Sequence, residues 1–261
     1  MSRLISDPPR ALEVHCLDFD TRLFGAQLGS ISRTGDHPVT AAALRALLDD
    51  AKQDGYEHLI FRTGAEDFAS IWAAEHSGMR LVDIGVDSTF TFGTTPVPEQ
   101  PTAPLVRQAR ITDIAPLQAL AATAFVRSRF VTDPFFDAEA NVKLHREWVK
   151  NLFGGLAQAI FVCEIDGNVA GFVSNSVNAT EARIPLIATN ARYRRMGIGK
   201  ALVAKAVNWS HDQGVPNAHV KTQAHNYPAL ALYHRAGYVV SKTELTFSVT
   251  LTSQHGVQQH V

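Results

Sequence analysis

Residues 184–201, IPLIATNARYRRMGIGKA, constrain the fold of this chain more than any other stretch. A short apolar run and a turn lead into Arg194-Arg195-Met196-Gly197-Ile198-Gly199, which opens a helix. A strand delivered through a glycine turn into a helix is a unit of an α/β fold. Gly197 and Gly199 carry no side chain, so successive backbone N–H groups can point into one small space at the positive end of the helix. A pyrophosphate fits such a space, and Arg194 and Arg195 add charge-assisted contacts to the same anion.

Two other phosphate loops fit this segment poorly. A P-loop needs an earlier glycine and a Ser or Thr after the lysine, and here Ala201 follows Lys200. A dinucleotide fingerprint needs a third glycine in the helix and an acidic residue about 20 positions on; Val203 and the run HVKTQAH supply neither. Downstream, Gly199 to His211 repeats apolar residues at helical spacing and Gly214-Val215-Pro216 ends it. Ala218 to Thr222 reads as a strand, Ala229 to Arg235 as a helix after Asn226-Tyr227-Pro228, and Gly237 leads into a last strand pair from Tyr238.

Arg-x-x-Gly-x-Gly after a strand, followed by Asn226, Ala229, Tyr233 and Gly237-Tyr238, resembles the GNAT acyltransferases. The resemblance implies a mixed, centrally splayed sheet flanked by helices, with acetyl-CoA as co-substrate. It implies a cofactor site made by Leu186, Ile187, Ala188, Thr189, Arg194, Arg195, Met196, Gly197, Ile198, Gly199, Lys200 and Asn226. Tyr233 is then the acid that protonates the departing thiolate. A thiol of pKa about 8.5 leaves readily when a phenol of pKa about 10 is held beside it. The backbone of 186–189 is the expected donor to the oxyanion, and Pro185 has no N–H to give. The competing reading of Tyr233 is an aromatic on the core face of its helix.

At 261 residues and 46% hydrophobic content the chain is long for one such domain. Residues 105–250 hold the GNAT domain, 93–104 (GTTPVPEQPTAP) have the composition of a spacer that does not pack, and 251–261 form a polar tail. Residues 1–92 predict a small α/β domain: strand, strand, helix Val39 to Gln53, strand His58 to Thr63, helix Phe68 to His76, Gly78, strand Leu81 to Phe92. His76-Ser77-Gly78-Met79 before Thr89-Phe90-Thr91 parallels Arg235-Ala236-Gly237-Tyr238 before Thr246-Phe247-Ser248, with a two-residue difference in spacing. That parallel suggests a truncated GNAT-like unit without a cofactor loop; a helix, a Gly and a strand recur in any α/β segment. Residues 1–104 carry a net −7 and 105–261 a net +6, so the second part suits anions. Dispersed basic residues and ordinary aromatic content argue against nucleic acid. Cys16 and Cys163 lie in apolar runs outside any metal spacing, which predicts buried free thiols and no metal site. Without a signal-like or membrane-spanning segment, the expected location is cytoplasmic.

The acceptor must be read from other segments. LDFDTRLFG at residues 17–25, with Ser128-Arg129-Phe130, Asp133-Pro134-Phe135-Phe136 and Arg146-Glu147-Trp148-Val149, resembles one GNAT branch, the TDP-fucosamine acetyltransferases. That resemblance implies a TDP-linked amino-dideoxy sugar as acceptor, Asp83 as base in place of the branch's Glu, an acceptor-side role for Asp20, and a homodimer. Arg129 suits a diphosphate in bidentate fashion and Phe130 or Phe135 a pyrimidine face; alternatively Arg129 favours a helix C-terminus and Phe130 the core. Asp83 reads equally well as a solvent-facing strand residue. An acetyltransferase for an aminoglycoside or a peptide N-terminus, and a non-catalytic acyl-CoA sensor, are the alternative functions.

Overall fold

Alternating strands and amphipathic helices build a sheet protein whose order, in a computed structural model describing residues 12–35 and 37–251, is as follows. The first elements are β1 (Leu12–Cys16), α1 (Asp18–Phe24), β2 (Leu28–Arg33), α2 (Ala41–Gln53), β3 (His58–Gly64), α3 (Phe68–His76) and β4 (Arg80–Thr91). Then come β5 (Val106–Gln108), α4 (Ile114–Ala124), α5 (Arg129–Thr132), α6 (Ala138–Asn151), β6 (Ala159–Ile165), β7 (Asn168–Val177), β8 (Glu181–Ile184) and β9 (Ile187–Thr189). The last are α7 (Ile198–Asp212), β10 (Asn217–Gln223), α8 (Tyr227–Arg235) and β11 (Val239–Thr250). The LDFD segment is thus a helix, α1, closed by Gly25 in the left-handed region. After Tyr238 the described residues form one twelve-residue strand, β11, and not a strand pair.

The chain forms two units, residues 1–84 with 244–261 and residues 85–243. The sequence boundaries at 92/93 and 104/105 therefore do not mark the division. It runs through the middle of β4 and again through β11.

In the first unit β1 pairs antiparallel with β2, β2 parallel with β3, and β3 antiparallel with the end of β11, from Gly64 opposite Glu244 to His58 opposite Thr250. α2, capped by Thr40, and α3 cover a core of Leu44, Leu59, Phe61, Ala74, Met79 and Phe247. Cys16 is exposed at the end of β1, although it shares the strand face of Leu12 and Val14, while Cys163 is buried as expected.

In the second unit β10 lies between β8, parallel, and β4, antiparallel; β8 continues to β7, β6 and β5. Cross-strand pairs put Phe161 and Val173 on the face covered by α7 and α8, and Val162 with Phe172 on the face covered by α4 and α6. The Pro-rich segment 93–104 packs here and does not act as a spacer. Val97 joins the core, Pro98 O accepts from Asn208 Nδ2 at 2.8 Å, and Gln100 Nε2 donates to Ala201 O at 3.3 Å. Of the polar tail, Leu251 N donates to Glu57 O in the first unit, and 252–261 lie outside the described residues.

The two units share a repeat. β3, α3 and β4 have 7, 9 and 12 residues, and so have β10, α8 and β11. His58 to Asn217, Phe68 to Tyr227, Gly78 to Gly237 and Arg80 to Val239 all step by the same 159 positions. No two-residue difference remains. Gly78 and Gly237 both have positive φ, the backbone state that ends each helix and turns the chain into the following strand.

Candidate active site

The site is built where β8 stops following β10. Their parallel pairing ends at Ile184 opposite Val220, because Pro185 has no N–H to continue a ladder. On the other side β7 pairs Ser176 with Arg183 and Val173 with Ile187, so the β8–β9 strand holds one extra residue, a β-bulge. Ser174 fastens it. Its N–H donates to Leu186 O at 2.8 Å, and its hydroxyl accepts from Leu186 N at 2.9 Å and donates to Leu186 O at 3.2 Å. The Leu186 N–H is therefore spent internally and is not an oxyanion donor, which corrects the sequence expectation for that residue.

The ladder continues to Asn190 N, which donates to Ala170 O. Antiparallel pairs alternate, so Leu186, Ala188 and Asn190 direct their N–H and C=O groups at β7. Ile187 and Thr189 point theirs the opposite way, along an edge that pairs with no strand among the described residues. Two main-chain N–H groups thus point away from β7, an arrangement that can receive developing negative charge on a carbonyl oxygen. Gly171 brings β9 close: a methyl group there would stand 2.8 Å from Ala188 O and 2.9 Å from Ile198 Cγ2.

The turn after β9 is wound by Arg195 at φ 66° and Gly197 at φ 78°, both left-handed and unusual for an arginine. Gly197 is the N-cap of α7 and offers no side chain, so the N–H groups of Ile198, Gly199 and Lys200 have no acceptor within the helix. Arg194, Arg195, Met196 and Lys200 are exposed around them. Gly199 keeps α7 against α8; a methyl group there would meet Leu232 Cδ2 at 3.1 Å. The next residue, Tyr233, is 4% exposed and its ring meets Tyr238 edge-on at 5.9 Å. Burial pushes its phenol well above the ordinary value and keeps it protonated. Asn226 caps α8 with its backbone only, and its Nδ2 donates to Thr222 Oγ1 at 3.0 Å.

Leu186 to Thr189, Arg194 to Lys200, Asn226 and Tyr233 therefore all lie in the second unit. Residues 123–238 match the family model described as Acetyltransferase (GNAT) family. That stretch is a GNAT acetyltransferase domain. It is 34% identical over 138 residues to the dTDP-fucosamine acetyltransferase of Escherichia coli O6:H1, covering 52% of this chain and 58% of that protein. To the spore coat polysaccharide biosynthesis protein SpsD of Bacillus subtilis it is 27% identical over 124 residues, covering 48% and 43%. The chain thus spans about half the length of these curated relatives. Among solved structures, a GCN5-related N-acetyltransferase from Sphaerobacter thermophilus shares the fold over 95% of this chain and 79% of that one, with TM-score 0.66 and 16% identity. A tandem GNAT protein from the clavulanic acid biosynthesis pathway shares it over 88% and 77%, with TM-score 0.61 and 14% identity.

The acceptor-side residues divide differently. Arg129 opens α5 in the GNAT domain's unit, with its guanidinium carbon 3.9 Å from the Phe130 ring centre and 5.7 Å from that of Phe136. Phe130 is 4% exposed and also meets Phe136 and Trp148 edge-on, so it belongs to the core and offers no open face to a base. Asp20 on α1 and Asp83, half-buried on β4, belong to the first unit. Ser174 and Thr222 escaped the sequence reading, since a Ser or Thr in a strand carries no signal of its own. The constant step from Thr63, Asp67 and Gly78 to Thr222, Asn226 and Gly237 is the signal that could have found Thr222. Among the described residues no group of three or more His, Cys, Asp or Glu is arranged to hold a metal, and no helix is long and apolar enough to cross a membrane.

Proposed function

We propose that this protein transfers the acetyl group of acetyl-CoA to the primary amine of a TDP-linked amino-dideoxy sugar in the cytoplasm by direct attack of the amine on the thioester. The observation that carries the transferase reading is the β9 edge, with two N–H groups turned away from β7, together with the start of α7, which has no side-chain cap. The acceptor reading is supported by the similarity to the dTDP-fucosamine acetyltransferase of E. coli. Acetyl-CoA supplies the activated acyl group. Main-chain N–H groups of Ile198, Gly199 and Lys200, with Arg194 and Arg195, bind its pyrophosphate. Asn226 contacts the pantetheine arm. The Ile187 and Thr189 N–H groups stabilise the charge that builds on the carbonyl oxygen as the amine attacks. Tyr233, kept neutral by its burial, gives its proton to the leaving sulfur. Asp83 takes the proton of the amine, Asp20 contributes on the acceptor side, and Arg129 pairs with the diphosphate.

Thiol release measured against a panel of TDP-amino sugars, aminoglycosides and peptide N-termini tests the reading. Turnover restricted to the TDP-amino sugars is expected. Turnover with an aminoglycoside or peptide alone overturns the acceptor, and thiol release with none of them, despite acetyl-CoA binding, favours a sensor.

A further inference from the structure

Asp67 and Asn226 stand at the same step of the repeat and have nearly the same backbone, φ −89°, ψ 71° and φ −91°, ψ 59°. Each is preceded four residues earlier by a buried threonine, Thr63 or Thr222. The backbone bonds correspond as well: Asp67 N to Gly64 O and Ile71 N to Asp67 O in one copy, Asn226 N to Gln223 O and Leu230 N to Asn226 O in the other. Their side chains do opposite things. Asp67 caps α3, accepting from Ser70 N at 3.1 Å, Ser70 Oγ at 2.7 Å and Arg33 Nη2 at 2.7 Å, while Thr63 adds a longer contact at 3.3 Å. The Asn226 side chain makes no capping bond to α8, and the Ala229 N–H that corresponds to Ser70 N–H donates instead to the Asn226 backbone O at 3.0 Å. The position of Ser70 is taken by Ala229, and the amide is bonded to Thr222 instead. The helix end thus gives up a side-chain cap, and the amide is held by Thr222 instead of by α8.

We infer that Thr222 is a positioning residue for cofactor binding: its buried hydroxyl holds the Asn226 amide off the helix and turned toward the cofactor arm. The inference rests on the proposed acetyl-CoA site. In the first unit the same position is closed by its own cap, so that copy keeps the fold and not the contact.

Calorimetric titration of the whole chain with acetyl-CoA, together with steady-state kinetics, tests this. Thr222→Val is expected to weaken binding and raise the acetyl-CoA KM by roughly tenfold, the loss of about one hydrogen bond. kcat and the acceptor KM stay within about twofold, and Thr222→Ser restores binding. Because Thr222 acts through Asn226, adding Thr222→Val to Asn226→Ala is expected to cost nothing further. If valine prevents folding, Thr222→Ala gives the same comparison. Unchanged binding by a folded Thr222→Val or Thr222→Ala variant, or additive losses in the double variant, overturns the role of Thr222. A wild-type chain that binds no acetyl-CoA removes the proposed function itself, and this inference with it.

Discussion

Tyr233 and Ala74 hold the same place on α8 and α3, one step of the repeat apart. Both side chains are buried, but only α8 carries a phenol, and only its unit has the glycine turn before α7. The repeat therefore separates what both β–α–β copies share from what one copy alone carries. Gly78 and Gly237 are common to both copies; Tyr233, Asn226 and the uncapped helix start are not.

Removing the phenol oxygen of Tyr233 leaves the ring and its packing in place. Tyr233→Phe should lower kcat by roughly a hundredfold, the contribution of a positioned proton donor, with a melting temperature close to that of the parent. Thiol release and calorimetry on the same preparation check it; full turnover would rule Tyr233 out as the acid.

Tyr233 and Tyr238 both have phenols raised above the ordinary value of 10.0 by burial. The native state thus keeps protons that the unfolded chain releases, so stability is complete below about pH 10 and falls as pH rises beyond it. Urea midpoints at pH 8, 9, 10 and 10.5 should show the decline beginning near pH 10. Tyr238→Phe should flatten it and cost little at neutral pH, since the Tyr238 hydroxyl has no hydrogen-bond partner among the described residues.

His145 is 1% exposed, donates Nδ1–H to Asn141 O at 2.7 Å and stacks on Phe125 at 4.6 Å. Burial lowers its pKa below the ordinary 6.5. The unfolded chain then takes up a proton that the native state refuses, so stability is present above pH 6.5 and is lost as pH falls below it. Thermal melts at pH 7.5 and pH 5 should differ less in His145→Gln than in the parent; an equal difference would assign the acid sensitivity to other groups.

Gly171→Ala forces a methyl group against Ala188 O and Ile198 Cγ2. The expected cost is about 1–3 kcal/mol by urea denaturation, with reduced turnover because β9 carries the outward N–H groups. Gly154→Ala, where nothing lies within 4 Å, serves as the control and should stay within about 0.5 kcal/mol.

The strand–turn–helix at 184–201 was legible because its signals are local. Glycines mark left-handed turns, an apolar period marks α7, and the cap-deficient helix start follows from Gly197 having no side chain. α3 was read at its full length, since Asp67 begins it and Gly78 follows its end, both within one turn. α1 was missed because a seven-residue helix with none of its residues buried has no apolar period to show.

The sequence by itself determined the alternation of strands and helices, the glycine turn, the tyrosine on α8 and the parallel between the two halves of the chain. Tertiary structure decided which strand each half-strand joins: β4 ends against β10 and β11 ends against β3, pairings between residues more than a hundred positions apart that no local pattern encodes. It also decided which N–H groups on the β8–β9 strand point away from β7. Ser174 consumes that of Leu186, and the bulge at Pro185 turns those of Ile187 and Thr189 outward. Hydrogen-bond alternation depends on register, and register is fixed only when the strands meet.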